Sequence, residues 1–467
     1  MKKVVVLGGG VAGLTIAFRR GAAGETVVLE ASPRAGGSIR TIREDGFTLE
    51  GGPNTLRTTE AADRLVADLG LEPAVVLADG AAPRGIGRGG APRAIVPGPM
   101  GLFNTVFTTA AKLRLLGDRF VPPRPASLDD ETVDSFFRRR FGAEAARYGA
   151  GPMVSGVYAG DPAALSIRSA FPHLWEAERR SGSVIKDFLA GGMSFKRAPD
   201  GGKLPKPRHR PRTLTFTRGL EEMTEALVRK MPASARVVMG AGAVAVEGPR
   251  PTSAAGSRWT VMTADGRSFD ADVLVSTLAA PALARLLGER LPRSGSLLAA
   301  VPSSPVSVVI LAFRAVDSTA APRGFGALIP RGEGFDTLGV LYPASLFTGR
   351  APAGWALTTS FIGGAVGRAA AALPDAELLA HASGEVARLH PRLGRPERSW
   401  IVRWPEAIPQ MPLGHWRTMA ALENDLAALE GVAGAPGVLV VTGGFRDGIA
   451  LGERIARGEA IGRELAV

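Results

Sequence analysis

The chain has 467 residues, of which 45% are hydrophobic and 21% charged, with a net charge of +12 and no cysteine. Such a length exceeds one simple core and predicts two or three domains. The missing cysteine excludes disulfides, iron–sulfur clusters, thiolate zinc sites and cysteinyl flavin links, and no uninterrupted apolar run reaches bilayer length. The positive balance favours anionic partners, but no basic stretch is interleaved with aromatics as nucleic-acid binding requires.

In chain order, Lys2 to Leu7 read as a short apolar strand, followed at once by Gly8-Gly9-Gly10-Val11-Ala12-Gly13 and a helical stretch. Val27-Val28-Leu29 then lead into Glu30. Strand, G-x-G-x-x-G turn, helix and acid-terminated second strand together form a dinucleotide-binding fingerprint. In that reading Gly8 permits the tight turn, Gly10 lets the backbone approach a pyrophosphate, and Gly13 brings helix and strand close. Val11 and Ala12 open the helix whose N-terminus faces the phosphates, and Glu30 accepts from a ribose hydroxyl. A basic start before an apolar run also fits a leader peptide, but the glycines interrupt that run and no cleavage site is evident. The segment is therefore read as part of the fold.

A second glycine cluster follows: Arg34, Gly36, Gly37 and Ser38 lie just beyond Glu30. Its glycines let a loop wrap phosphates while Arg34 supplies fixed positive charge. Phe47 to Asn54 is an extended segment ending in the turn Gly52-Pro53-Asn54. The combined Glu-x-x-x-Arg-x-Gly-Gly string resembles the flavin-binding start of the amine oxidase-like flavoproteins.

Further on, the pattern predicts a helix over Thr59–Leu69 and an apolar block over Met100–Leu116. Residues Ser127–Leu189 read as mainly helical, with Ser127 as N-cap and Asp130 and Glu131 in the first turn. Lys203–Pro211 is basic and Pro-rich and reads as a surface loop. A helix is expected from Gly219-Leu220 to about Lys230. Val237-Val238, Ala243-Val244 and Trp259–Val261 read as one small sheet, and Phe269–Leu278 as one strand feeding a helix at Pro281. Val306–Phe313 and Trp355–Ile362 are further strands. Val438–Val441, a Thr442-Gly443-Gly444 turn and a helix over Ala450–Leu465 close the chain.

The string Gly156-Val157-Tyr158-Ala159-Gly160-Asp161-Pro162 resembles the protoporphyrinogen oxidase family, flavoenzymes late in haem biosynthesis. Similar strings run along essentially the whole chain, among them Pro83-Arg84-Gly85-Ile86, Gly324 to Pro330, Thr359 to Gly364, and Arg403 to Gln410. The resemblance implies an α/β fold with α+β insertions: a Rossmann-like FAD domain, a mixed-sheet substrate domain and a helical membrane-binding insertion. The expected bounds are 1–60, 205–280 and 435–467 for the FAD domain, 61–90 and 281–434 for the substrate domain, and 91–204 for the helical part. It implies non-covalent FAD, with Val244, Trp404, Gly443, Gly448, Ile449 and Ala450 joining the N-terminal residues around it. It also implies that Arg84 holds a propionate of the substrate, that Leu328 and Leu341 clamp a pyrrole, that Phe361 stacks on the macrocycle and that Gly160 lies close to it. Two positions depart from the family's C-terminal pattern: Arg446 stands where an aromatic is common, and Ala450 replaces a glycine.

The implied reaction is six-electron oxidation of protoporphyrinogen IX to protoporphyrin IX, with oxygen as acceptor and hydrogen peroxide as co-product. The hard chemistry is the flavin's, so no catalytic side chain is named, and the five histidines show no metal spacing. The implied partners are a tetrapyrrole, oxygen, an anionic membrane surface and a second copy of the chain, and the implied location is cytoplasmic and peripheral on the cytoplasmic membrane. Coproporphyrinogen III is the nearest alternative substrate, because an Arg-rich chain suits four carboxylates. A flavin amine oxidase, a carotenoid desaturase and a non-catalytic flavin-binding protein are the more distant alternatives.

Overall fold

A computed structural model describes residues 2–95, 105–125, 127–190, 209–249, 259–314, 320–433 and 439–467. Residues 203–208 of the basic stretch, 100–104 at the start of the apolar block, and Val438 lie outside the described residues. The chain divides into two compact units: residues 1–78, 211–303 and 417–467, and residues 79–210 and 304–416. Two units replace the three segments expected, because the helices of 133–189 and the large sheet belong to one contact body. The segments 61–78 and 281–303, expected in the substrate domain, belong to the first unit.

The first unit is built on a five-stranded parallel sheet. Its central strand is β1 (Val4–Leu7), and the order is Ala235–Val238, β2 (Thr26–Leu29), β1, Val273–Ser276 and Leu439–Val441. All four residues of β1 are buried. Strands buried on both faces read as continuous apolar runs, which is why the sequence pattern here is VVVL rather than an alternation. The helix α1 (Val11–Arg20) and the last helix, Leu451–Glu464, cover one face together. Glycines make that packing close. A Cβ on Gly458 would lie 2.8 Å from the Ala12 carbonyl, and one on Gly462 2.7 Å from the Ile16 carbonyl.

Two small-sheet expectations are corrected. Val237 and Val238 pair with Val28 and Leu29 in the parallel sheet, whereas Ala243–Glu247 and Trp259–Thr263 join Ser268–Ala271 in a separate antiparallel meander. Phe269–Leu278 is two strands, Ser268–Ala271 and Val273–Ser276, which lie in different sheets.

The second unit holds a seven-stranded mixed sheet in the order Arg398–Pro409, Ser303–Arg314, Trp355–Gly363, Thr337–Leu341, Gly326–Leu328, Arg84–Arg88 and Ala91–Ile95. The helix Asp375–Leu389 packs on one face, placing Leu389 with Ala327, Ile329 and Val340. The region after Ser127 is helical as read, but its first helix is Val133–Phe141 and its N-cap is Thr132, whose hydroxyl accepts from the Ser135 N–H at 3.1 Å. Ser127 does not cap it. Asp130 instead accepts from the Ser166 hydroxyl at 2.7 Å and the Gly414 N–H at 2.9 Å. Among the described residues, no helix is long and apolar enough to cross a membrane.

Candidate active site

The first unit carries a dinucleotide cradle. Gly8 has φ +102°, and a Cβ there would lie 2.7 Å from Thr277 Oγ1; a Cβ on Gly13 would lie 2.1 Å from the Gly8 carbonyl oxygen. Neither position admits a side chain, so the tight turn and the close helix are obligatory. The first hydrogen bond of α1 runs from the Leu14 N–H to the Gly10 carbonyl at 3.0 Å. The Val11, Ala12 and Gly13 N–H groups therefore have no partner inside the helix and form an anion-binding terminus.

Glu30, at the end of β2, is fixed from both sides. Its carboxylate accepts from the Gly9 N–H and the Ser32 N–H, each at 2.8 Å. Those bonds aim the group beside the glycine turn, and a carboxylate retains lone pairs for a ribose hydroxyl. The second glycine loop docks on the first: the Gly36 N–H donates to the Gly9 carbonyl at 2.8 Å, and Gly10 and Gly36 form a bridge. A Cβ on Gly37 would lie 3.1 Å from Gly10 Cα. Arg34 shapes this loop rather than projecting freely, donating to the Ile39 and Gly37 carbonyls at 2.8 Å each and meeting Glu221 at 3.3 Å. Ser38 is exposed at its tip. In the turn Gly52-Pro53-Asn54, the Asn54 amide donates to the Gly52 carbonyl at 3.0 Å.

Val244 stands at a register shift in its strand and is 60% exposed, an apolar side chain open to solvent near the end of β2. The Ala241 N–H donates to the Glu30 carbonyl at 2.8 Å and so ties this loop to the ribose acid. The C-terminal turn is also in this unit. Gly443 precedes a short helix, Gly444–Asp447; Gly448 has φ +97°; and Ala450 is the N-cap of the last helix. Ala450 has φ −73°, a conformation open to any residue, so an alanine there costs the backbone nothing. Arg446 is taken up by Glu423 at 3.0 Å and the Val441 carbonyl at 3.3 Å. Ile449 is half-buried beside it. The glycine loops, the open helix terminus and the oriented acid fit a flavin dinucleotide. Trp404, expected with this set, lies on the edge strand Arg398–Pro409 of the second unit.

The second unit brings four of the five expected substrate residues onto one sheet face. Gly326 pairs with both Leu341 and Arg84, and Gly339 pairs with both Leu328 and Phe361. Paired residues share a face, as do residues two apart on a strand. Arg84, Leu328, Leu341 and Phe361 therefore project together, with Gly326 and Gly339 as gaps between them. Leu328, Leu341 and Phe361 are only partly covered, whereas Ala327, Val340 and Ile362 on the other face are buried. Arg84 is exposed, with its guanidinium 5.0 Å from the Phe325 ring.

The fifth residue, Gly160, follows the helix Gly151–Tyr158 and its C-cap Ala159; that helix lies over this face. A Cβ on Gly156 would meet Leu328 Cδ2 at 2.3 Å. Gly160 itself is buried, and a Cβ there would lie 2.8 Å from Gln410 Oε1, so packing alone accounts for the glycine.

Sequence reasoning missed several supporting residues. The Gln410 amide donates to the Tyr158 carbonyl at 2.8 Å and holds the turn that carries Gly160. Phe325 backs Arg84, and Thr277 braces the glycine turn by donating to the Leu7 and Gly8 carbonyls at 3.0 and 3.1 Å. Phe325 and Gln410 each lie in a string that resembles the family, whereas Thr277 lies at the end of an apolar run in which nothing local marks it.

Residues 11–442 match the sequence profile of the flavin containing amine oxidoreductases. The chain is 31% identical over 468 residues to protoporphyrinogen oxidase 1, chloroplastic, of Arabidopsis thaliana, covering 96% of this chain and 85% of that protein. It is 29% identical over 479 residues to coproporphyrinogen III oxidase of Bacillus subtilis, covering 98% and 97%. Among solved structures, a protein from Exiguobacterium sp. 255-15 superposes with a TM-score of 0.78 at 21% identity, covering 100% of this chain and 98% of that one.

Proposed function

The chain belongs to the flavin containing amine oxidoreductase family, and from that membership we propose that it oxidises a porphyrinogen, protoporphyrinogen IX, to the porphyrin. The observation that carries this reading is the shared face of Arg84, Leu328, Leu341 and Phe361. It offers partly covered apolar side chains with one exposed guanidinium beside them, which suits a large apolar macrocycle with anionic tails. The planar Arg84 fork matches a propionate carboxylate, and the Phe325 ring lies against it. Leu328, Leu341 and Phe361 hold the ring plane, exclude water around the bridge carbons, and so fix the reacting carbon in place.

When bound, FAD supplies the two-electron acceptor that no side chain provides. Gly8 to Gly13 and Glu30 would hold it, at the phosphates and at a ribose. Full conversion removes six electrons and six protons from the macrocycle, and three molecules of oxygen leave as three of hydrogen peroxide. No side chain is assigned a proton-transfer step.

A second substrate, coproporphyrinogen III, is favoured by the near full-length similarity to the Bacillus subtilis enzyme. We assign the chain to the cytoplasmic side of a membrane as a peripheral protein. This is supported by Leu113, Leu116, Phe120, Phe188 and Leu189, each more than half exposed. The helix carrying Phe188 and Leu189 is tied to the turn before Phe120, because Ser183 and the Ile185 N–H donate to Asp118 at 2.5 and 3.0 Å. Such an apolar cluster beside Lys112, Arg114 and Arg119 suits an anionic lipid surface.

The test is the initial rate of porphyrin fluorescence with each porphyrinogen, for the wild type and Arg84→Ala. Faster protoporphyrinogen turnover, with KM raised roughly tenfold or more in the variant, is expected, since a hydrogen bond to a charged group contributes about 1.5–3 kcal/mol. Preference for coproporphyrinogen moves the chain to the second substrate, and inactivity on both overturns the reading.

A further inference from the structure

Asp336, His381 and Glu385 converge on the second unit, on the side of its large sheet that the helix Asp375–Leu389 covers. This is the face opposite the one that carries Arg84. His381 and Glu385 are one helical turn apart, and Asp336 immediately precedes the strand Thr337–Leu341.

The three ligand atoms all lie within 4.8 Å of one another. His381 Nε2 is 3.1 Å from Asp336 Oδ2 and 3.5 Å from Glu385 Oε1. That nitrogen is buried and makes no hydrogen bond. One ring nitrogen and two carboxylates thus converge without bonding to one another, a donor set with room for a shared cation. The two separations match the edge of a tetrahedral zinc site, about 3.3 Å for metal–ligand bonds of about 2.0–2.1 Å.

Glu385 is held ready. Its carboxylate accepts from the Asp336 N–H at 2.6 Å, the Thr337 N–H at 3.0 Å and the Thr337 hydroxyl at 2.5 Å. Such outer bonds orient a ligand and leave it lone pairs to donate. Asp336 is half exposed, which leaves an open side where water completes the coordination. Against these two carboxylates stands Arg331, whose charge acts on Asp336; the pocket keeps a net negative charge that a divalent ion reverses.

We propose that Asp336, His381 and Glu385 bind one zinc-type divalent ion, a site separate from the flavin and substrate residues. The test is equilibrium dialysis of the flavin-loaded full chain against zinc alone, at a pH where imidazole is neutral, with bound metal counted by mass spectrometry. One equivalent is expected in the wild type. Affinity should fall at least roughly tenfold in both His381→Ala and Asp336→Asn, because each removes a direct ligand and even a lost outer-shell partner costs about tenfold or more. The far-UV circular dichroism and the thermal transition should be unchanged in both metal-free variants, which shows that they are folded. No bound zinc, or binding that both variants retain because the other histidines supply it, overturns the proposal.

Discussion

Single residues set the cofactor cradle, and their geometry gives sharp expectations. Glu30 satisfies two backbone N–H groups of the turn it faces. Glu30→Ala leaves both without that acceptor, at about 1–3 kcal/mol each if they stay buried, so FAD affinity should fall at least roughly tenfold. The release of free flavin fluorescence on dilution measures this. Gly13→Ala is harsher, because its Cβ would sit 2.1 Å from the Gly8 carbonyl oxygen; the variant should purify without flavin. These positions were legible because a fingerprint ties residue type to backbone need: only glycine fits at Gly8 and Gly13. Arg34 was legible as a residue but not as a role, since nothing in its spacing shows that its guanidinium closes its own loop. Thr277, brought to Gly8 by pairing β1 with Val273–Ser276, carried no local mark at all.

Elements show where sequence reading succeeds and where it fails. Apolar runs marked the parallel strands, yet a run such as FDADVLVSTL hides the point at which one strand leaves a meander and the next enters another sheet. The sequence shows apolar residues but not their register, and register is what sets Leu328, Leu341 and Phe361 on one face. His381 and Glu385 were likewise unremarkable until the fold brought Asp336 to them.

In the helical part, Thr132 takes the capping role expected of Ser127, and a buried ion network that no local pattern marks ties the helices together. Arg140 pairs with Asp118 at 2.5 Å, Glu178 receives Arg139, Arg124 and Arg140 at 2.7, 3.1 and 3.2 Å, and Arg139 also meets Glu131. Burial pushes the Glu178 carboxyl up, but the hydrogen bonds and charges of these arginines outweigh it and leave it below its ordinary value of 4.5. A carboxylate with a depressed folded pKa stabilises the fold fully above the ordinary value and loses that contribution as pH falls through the folded one. Urea midpoints should therefore drop below about pH 4.5, and Glu178→Gln should flatten that slope. Glu178→Ala should cost about 3–5 kcal/mol at neutral pH, because it strands buried cations.

On the scale of the whole molecule, bound FAD links cofactor chemistry to stability. A ligand that binds only the folded chain adds about 2.7 kcal/mol at one hundred times its dissociation constant. Stripping the flavin should lower the melting temperature, and adding FAD back should restore it in a concentration-dependent way by calorimetry. Net charge acts at this scale too. Sedimentation with anionic vesicles should weaken as salt shortens the Debye length, and Phe120→Ser with Leu189→Ser should reduce what remains.

The central claim is that a porphyrinogen is the electron donor to this chain. Its most direct test is anaerobic mixing of the flavin-loaded protein with protoporphyrinogen IX while the flavin absorbance is followed. Rapid bleaching is expected, with return of the oxidised spectrum when oxygen is admitted and one hydrogen peroxide per flavin reoxidised. A flavin that stays oxidised with protoporphyrinogen and coproporphyrinogen alike, yet bleaches with a primary amine, would contradict it.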